Sequence, residues 1–417
     1  MQPRAVHRSV MSTAMTESVL GRAAEFFGRV GQHLTRSQRE SFATYAFGVL
    51  GEGDRKSIEP MAARASPDAT ETARTHDRLL HFIRESPWCD RAVRREAARY
   101  GIEAMGAREP ITTWVVDDTG FLKQGRCSPG VQRQYTGSAG KVANCQVAVS
   151  LSIATRTAQM PIDFELFLPQ SWIDDPIRRH EARIPMTATF KTKPELALEM
   201  LRRARDSKVP GSIVLADAAY GGSSAFRNGV RELGLDFAVG IKKSSRVWPL
   251  DNLGRRRPEP ISVEELAAAL PASAFRKITW REGTSGPLAA RLAFRRIKSA
   301  THNDETDPLD REPLWLIIEA TEDPEDPYKY ALTTLDERLT KKQIIRVLKE
   351  RWKTERVYEE LKGELGLDHF EGRSYAGWNH HVSVVLCCYA FVIAERVRSF
   401  SPSARGSRAS SSVSVAA

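Results

Sequence analysis

Apolar positions recur at helical spacing over residues 19–30, 38–50 and 75–84, so the chain opens with helices. Ser86-Pro87 stops the third of these, because a proline disfavours helical backbone in the residue before it. A further helix follows over 90–100, and no convincing alternation interrupts residues 1–110. From Ile111 the period changes. Residues 113–116 form a short β-prone run ending in Asp117-Asp118. Positions 145, 147, 149, 151 and 153 are Cys, Val, Val, Leu and Ile with Asn, Gln, Ala, Ser and Ser between, and Ile162, Phe164, Leu166 and Leu168 repeat the period of two. Three consecutive strands are predicted. A helix over 193–205 carries Pro194 in its first turn, where the missing N–H costs least. A strand over 213–216 then ends in Asp217, a helix runs from about 223 to 233, and a strand covers 237–241.

Short strands over 275–280, 288–297, 313–321 and 328–335 lie in a stretch rich in Arg and Pro, a mostly β insertion whose last strands rejoin the main body. A strong helix is predicted from 340 to about 365 and a second, apolar one over 378–397. The fold class is therefore α/β. The expected units are an α-helical N-terminal domain (1–110), a core in two parts (111–242 and 336–398), the insertion between them (243–335) and a disordered, Ser/Ala/Arg-rich tail (399–417). The longest apolar run, 382–394, is too short to cross a bilayer, so it is expected to be a buried helix.

Composition narrows the partner. Lys and Arg exceed Asp and Glu by 62 − 52 = 10, which favours a polyanion such as nucleic acid. At 41% hydrophobic and 27% charged, collagen, full disorder and a disulfide scaffold are excluded. Five cysteines without CxxC spacing suit a reducing cytoplasm. Residues 338–362 hold nine basic and four acidic side chains, half the net charge in 25 positions, and are the expected DNA contact.

Two predicted strands end in carboxylates, Asp117 and Asp217, and the long helix carries Glu355. Hard oxygen donors of this kind suit Mg²⁺ and Mn²⁺. Without cations, converging carboxylates repel by roughly 4 kcal/mol per close pair at an effective dielectric near 20. Arg351, Glu355 and Lys362 are four and seven residues apart, within about 40° on one helical face. That row suits a metal ligand beside phosphate clamps, although salt bridging between helical neighbours is its commoner meaning. Gly137 to Lys141 lacks the Gly and Ser/Thr positions of a phosphate loop. His380, His381, Cys387 and Cys388 share one apolar helix without a second ligand pair, so core packing is expected there rather than zinc.

Several stretches in order, WVVDDTGFLKQGRCSPGVQRQYTGSAGKVANCQVAVSL (114–151), LPQSWIDD (168–175), FKTKPELALEML (190–201), VLADAAYG (214–221) and RWKTERVYEELK (351–362), resemble IS701-type insertion-sequence transposases, relatives of the IS4 group. The resemblance spans about residues 20 to 397. It implies a DDE transposase with an RNase H-like core, cutting and joining DNA with two Mg²⁺ ions, Mn²⁺ being the substitute. Asp117 matches the first Asp of a D-x-[ST] pattern and Asp217 the second, while Glu355 matches the final Glu. Arg351 and Lys362 match the phosphate-binding Arg and Lys of Y-x2-R-x3-E-x6-K, whose Tyr position holds Leu348. Asp118 rivals Asp117 as first ligand; the motif spacing selects Asp117. The resemblance further implies terminal inverted repeats bound by the helical domain, a target DNA, a homodimer or larger assembly on DNA, and a cytoplasmic, nucleoid-associated protein. A nuclease that cuts without joining, or a domesticated DNA-binding protein that keeps the fold, are the rival readings.

Overall fold

The computed structural model describes residues 4–399 except 252–253, 256–258, 284–285 and 301–311, with backbone alone over 4–17. The predicted tail beyond Ser399 lies outside the described residues. Five helices come first: α1 (Arg4–Gly31), α2 (Arg36–Leu50), α3 (Ile58–Ala65), α4 (Ala69–Arg84) and α5 (Asp90–Gly106). Local chemistry sets their starts, for Thr35 and Gln38 form a capping box on α2 and the Asp68 carboxylate accepts from the Glu71 N–H at α4. The periodicity misses α3, whose two turns are too short to repeat a pattern.

β1 (Thr113–Leu122), β2 (Gln132–Thr136), β3 (Lys141–Ala154) and β4 (Gln159–Leu166) lead through the short α6 (Gln170–Ile173) and α7 (Pro176–Glu181) to α8 (Lys193–Asp206). Next come β5 (Ile213–Ala216), α9 (Ala218–Gly221), α10 (Ser224–Glu232) and β6 (Asp236–Ile241). β4 and β1 both run antiparallel to β3, β5 is parallel to β1, and β6 is parallel to β5. The spatial order β4-β3-β1-β5-β6, antiparallel then parallel, is that of an RNase H-like core.

The insertion does not close on itself. It contributes β7 (Arg246–Pro249), β8 (Ile261–Ser262), α11 (Val263–Ala268), β9 (Arg276–Gly283), β10 (Gly286–Ser299), β11 (Leu314–Ala320) and β12 (Tyr328–Thr333). β12 pairs antiparallel with β6, so the twelve strands of the described residues belong to one sheet. The N–H and C=O groups along that edge of β6 are thereby satisfied within the fold.

The predicted helix over 340–365 is not uniform. α12 (Lys341–Leu348) passes through a 3₁₀ turn at 349–352 into α13 (Lys353–Glu359) and then a π-helical turn at 360–364. Long-range contacts impose the tightening: Glu350 accepts from the Thr113 hydroxyl at 3.0 Å, and Lys353 donates to the Thr155 carbonyl at 2.7 Å. The last helix, α14 (Tyr375–Ser399), is buried along most of its length, including Trp378, His380, His381, Cys387 and Cys388. It packs among α2, α4 and α5, as a helix apolar on all sides must. A buried ion cluster ties the first helices to the sheet: Arg94 of α5 donates to Asp163 (2.9 Å) and to the Phe164 carbonyl (2.6 Å) of β4 and pairs with Asp90, while Arg203 of α8 reaches Asp163 and Glu165.

Candidate active site

The first correction concerns Asp117. It does not end a strand; β1 keeps its ladder with β3 through Leu122, because the partner strand is long enough to hold residues that a local reading assigns to a loop. Successive residues of a strand face opposite sides of the sheet. Asp117 turns towards the 3₁₀ turn that precedes α13, where its Oδ2 accepts from Nη1 of Arg351 at 2.7 Å. Asp118 meets Lys193 of α8 at 3.0 Å and lies 3.4 Å from the Tyr220 hydroxyl.

β1 and β5 pair in parallel as Thr113 with Ile213, Trp114 with Val214 and Val115 with Leu215. Continued two residues, that register sets Asp217 abreast of Asp117. Adjacent strands are about 4.8 Å apart, and in-register neighbours share a face. The two carboxylates feel each other. Burial raises the Asp117 carboxyl from the usual carboxylate range to about 6, Arg351 acts against this, and the negative charge of Asp217 adds to it. Burial thus outweighs a close ion pair. Asp217 is held from below as the N-cap of α9, its Oδ1 accepting from the Ala219 N–H at 2.9 Å.

Two glycines permit this turn. A Cβ on Gly221 would sit 2.0 Å from the Gly240 carbonyl oxygen, and one on Gly240 would sit 3.0 Å from the Ala218 nitrogen. The VLADAAYG motif ends in Gly because α9 lies directly on the backbone of β6.

Glu355 is one helical turn beyond Arg351, on the stripe that also carries Tyr358. It is exposed and pairs with no described residue. Among the described residues no group of three or more His, Cys, Asp or Glu side chains is assembled to hold a metal. The structure therefore brings Asp117 and Asp217 together and leaves Glu355 exposed, outside any described cluster with them. Lys362 is not free for phosphate either, since Nζ donates to the Gly120 carbonyl at 2.7 Å and to Ser138 Oγ at 2.9 Å, pinning the loop after β2. Much of the basic segment is similarly occupied: Lys349 pairs with Glu319 at 2.6 Å and Arg356 with Glu360 at 3.2 Å.

Sequence reasoning missed Tyr358. Its hydroxyl is 2.6 Å from Ser150 Oγ, and Ser150 is the β3 residue directly opposite Asp117. Burial pushes the Tyr358 phenol well up, and the charge of Asp117 adds to that, so the hydroxyl remains a neutral donor beside the carboxylate. A spacing of seven from Arg351 was the available signal. His381 is no zinc ligand here: Tyr45 OH lies 2.8 Å from Nδ1, and Nε2 faces the Gly366 and Leu367 carbonyls.

The donor chemistry fits a divalent cation. Two carboxylates sit side by side in a half-buried place where the Arg351 guanidinium is the cation paired with Asp117, and hard oxygens are what Mg²⁺ takes. The protein belongs to the DDE superfamily endonucleases, the family that matches residues 29–287, well over half of the chain. A second family, the transposase DDE domain, matches residues 190–391. Among curated proteins, the chain is 27% identical over 209 residues to the "Probable transposase for insertion sequence element IS701" of Microchaete diplosiphon, covering 50% of each. The chain thus spans about half the length of that relative. Among solved structures, the NurA nuclease from Sulfolobus solfataricus aligns over 58% of this chain and 74% of its own, at 12% identity and a TM-score of 0.24, too low to carry an argument. No described helix is long and apolar enough to cross a membrane.

Proposed function

We propose that the protein is the transposase of an insertion sequence, cutting DNA at the element's ends and joining them to a target. The observation that carries this is the juxtaposition of Asp117 and Asp217 on parallel strands, with Arg351 delivered to the same place from 234 residues away in sequence. Membership of the DDE endonuclease family and the similarity to the IS701 relative support it.

Asp117 and Asp217 would hold the cations, with Glu355 as third ligand after its exposed side chain turns inwards from α13. Two bound Mg²⁺ ions, or Mn²⁺ in their place, would activate a water or a 3′-hydroxyl and stabilise the leaving oxygen of an in-line displacement. The chain's own groups do the rest. Arg351 fixes the Asp117 carboxylate and carries a planar fork suited to a phosphate oxygen pair. Lys362, in exchange for its present carbonyl and hydroxyl partners, supplies a second phosphate contact. Tyr358 and Ser150 fix the floor beneath Asp117. We assign the helical residues 1–110 to recognition of the terminal inverted repeats, and a homodimer or larger assembly on DNA, in a cytoplasmic nucleoid setting, to bringing two ends together.

Asp217→Asn tests this. It preserves the N-cap acceptor of α9 yet removes a ligand charge, so cleavage of a duplex carrying the element's ends should fall by about 10³-fold or more while duplex binding is kept. Unchanged cleavage would refute the assignment and favour a DNA-binding protein that only retains the fold. A pre-cut end offered with target DNA separates joining from mere hydrolysis; hydrolysed products alone would leave a nuclease.

A further inference from the structure

Away from Asp117, the start of α12 and the β9–β10 pair enclose a cleft of ≈ 610 Å³. Arg276 and Lys277 of β9, Arg295 of β10, and Lys341 and Lys342 of α12 line it. None of the five pairs with a described carboxylate, in contrast to Lys349, Arg351 and Arg356 further along the same segment. Lys341 and Lys342 occupy the first turn of α12, which carries no acidic residue, so they sit where the helix dipole already disfavours cations. Like charges gathered there repel one another, and an anion bound in the cleft would relieve that repulsion.

We infer that this cleft binds the sugar-phosphate backbone of duplex DNA, beside the segment cut at Asp117. The inference rests on the function proposed above. The lining selects backbone over a nucleotide or another planar ligand. Its aromatic ring, Phe294, is buried beneath Lys341, whose ammonium lies 5.1 Å from the ring centroid, so no face is left for a base to stack on. Charge and the hydroxyls of Ser273 and Thr279 remain, which contact phosphate without reading sequence. Placement agrees. The helical path from Lys341 to Arg351 covers ten residues, about 15 Å at 1.5 Å each, or roughly four to five phosphates along one strand at 3.4 Å each. A duplex held at Arg351 thus needs only a few further phosphates to meet the cleft.

The test uses the full chain and a triple variant, Lys277→Ala/Arg295→Ala/Lys342→Ala, with fluorescence anisotropy on a 30-base-pair duplex from 50 to 200 mM NaCl. Each lost phosphate contact lowers the slope of log affinity against log salt by about 0.9, so a slope smaller by about 2 to 3 is expected, with affinity at 100 mM reduced at least about tenfold. The charge-conserving Lys277→Arg/Arg295→Lys/Lys342→Arg variant should retain the original slope. An unchanged slope in the alanine variant, with the unmodified chain still cutting DNA, overturns the cleft and leaves the proposed function standing. Failure of the unmodified chain to bind or cut any duplex overturns that function, and the cleft with it. Thermal stabilisation by inorganic tripolyphosphate that is lost in a variant whose DNA slope is intact would make this a small-anion site and refute the inference.

Discussion

Replacing His381 with Gln should flatten the response of stability to acid. The imidazole is fully buried in α14 between three elements, accepting from the Tyr45 hydroxyl at Nδ1 and facing the Gly366 carbonyl with Nε2 at 3.1 Å. Carbonyls only accept, so the proton sits on Nε2 and the ring is neutral. Burial lowers its pKa from 6.5 to about 4, against the raising effect of the two carbonyls. Between pH 6.5 and 4 the unfolded chain takes up a proton that the folded chain refuses, so this contribution is complete above about 6.5 and is lost as pH falls towards 4. That lowering corresponds to about 3 kcal/mol of stability. Glutamine keeps both hydrogen-bonding roles through its carbonyl and amide groups and does not titrate. Urea unfolding of both proteins at half-unit steps from pH 7 to 4 measures the difference in stability. Carboxylates, and the neighbouring His380 with its ring nitrogens 2.8 and 3.1 Å from the Ile83 and Trp88 carbonyls, titrate in both and cancel. A stability difference that stays constant over that range would mean that His381 is not held neutral by burial.

Two further substitutions probe how the site is supported. Arg94→Leu removes the fully buried cation that Asp90 and Asp163 share, leaving Asp163 only Arg203 at 2.7 Å, and should cost about 3–5 kcal/mol in urea unfolding; the added change Asp163→Leu should recover part of it, and no recovery would sink the pairing account. Gly221→Ala drives a methyl onto the Gly240 carbonyl and displaces the turn that carries Asp217, so cleavage should drop about 10²-fold. Gly240→Ala, with its nearer neighbour at 3.0 Å, should cost less, and a reversed order would contradict the packing.

Local pattern made much of this protein legible. The alternation at 145–153 became β3, the apolar stretch over 378–397 became α14, and the helix placed at 193–205 by Pro194 became α8, whereas α4 begins at Ala69, six residues before the apolar period shows it. That Asp117 and Asp217 are acids beside neighbouring strands is likewise local information, for residue type and strand pattern each depend on few residues. Other features were decided at a distance. Nothing near Gly120 signals that β1 continues to Leu122, since the ladder is supplied by residues 145–154. The 3₁₀ turn before α13 is flanked by bonds from Glu350 and Lys353 to Thr113 and Thr155, both far away in the chain.

The same division holds for the site. Residue type, spacing and periodicity determined which side chains are acidic, which helix face they share and in what order the strands come, because each depends on a few neighbouring residues. Only the tertiary structure decided that Asp117 faces Arg351 while Asp118 faces Lys193, that Tyr358 lies beside the first carboxylate, and that Lys362 is bound to Gly120 and Ser138. Which partner a side chain meets depends on how the sheet twists and which helix covers which face. Those are settled by burying apolar surface over the whole chain, and no short window of sequence contains that information.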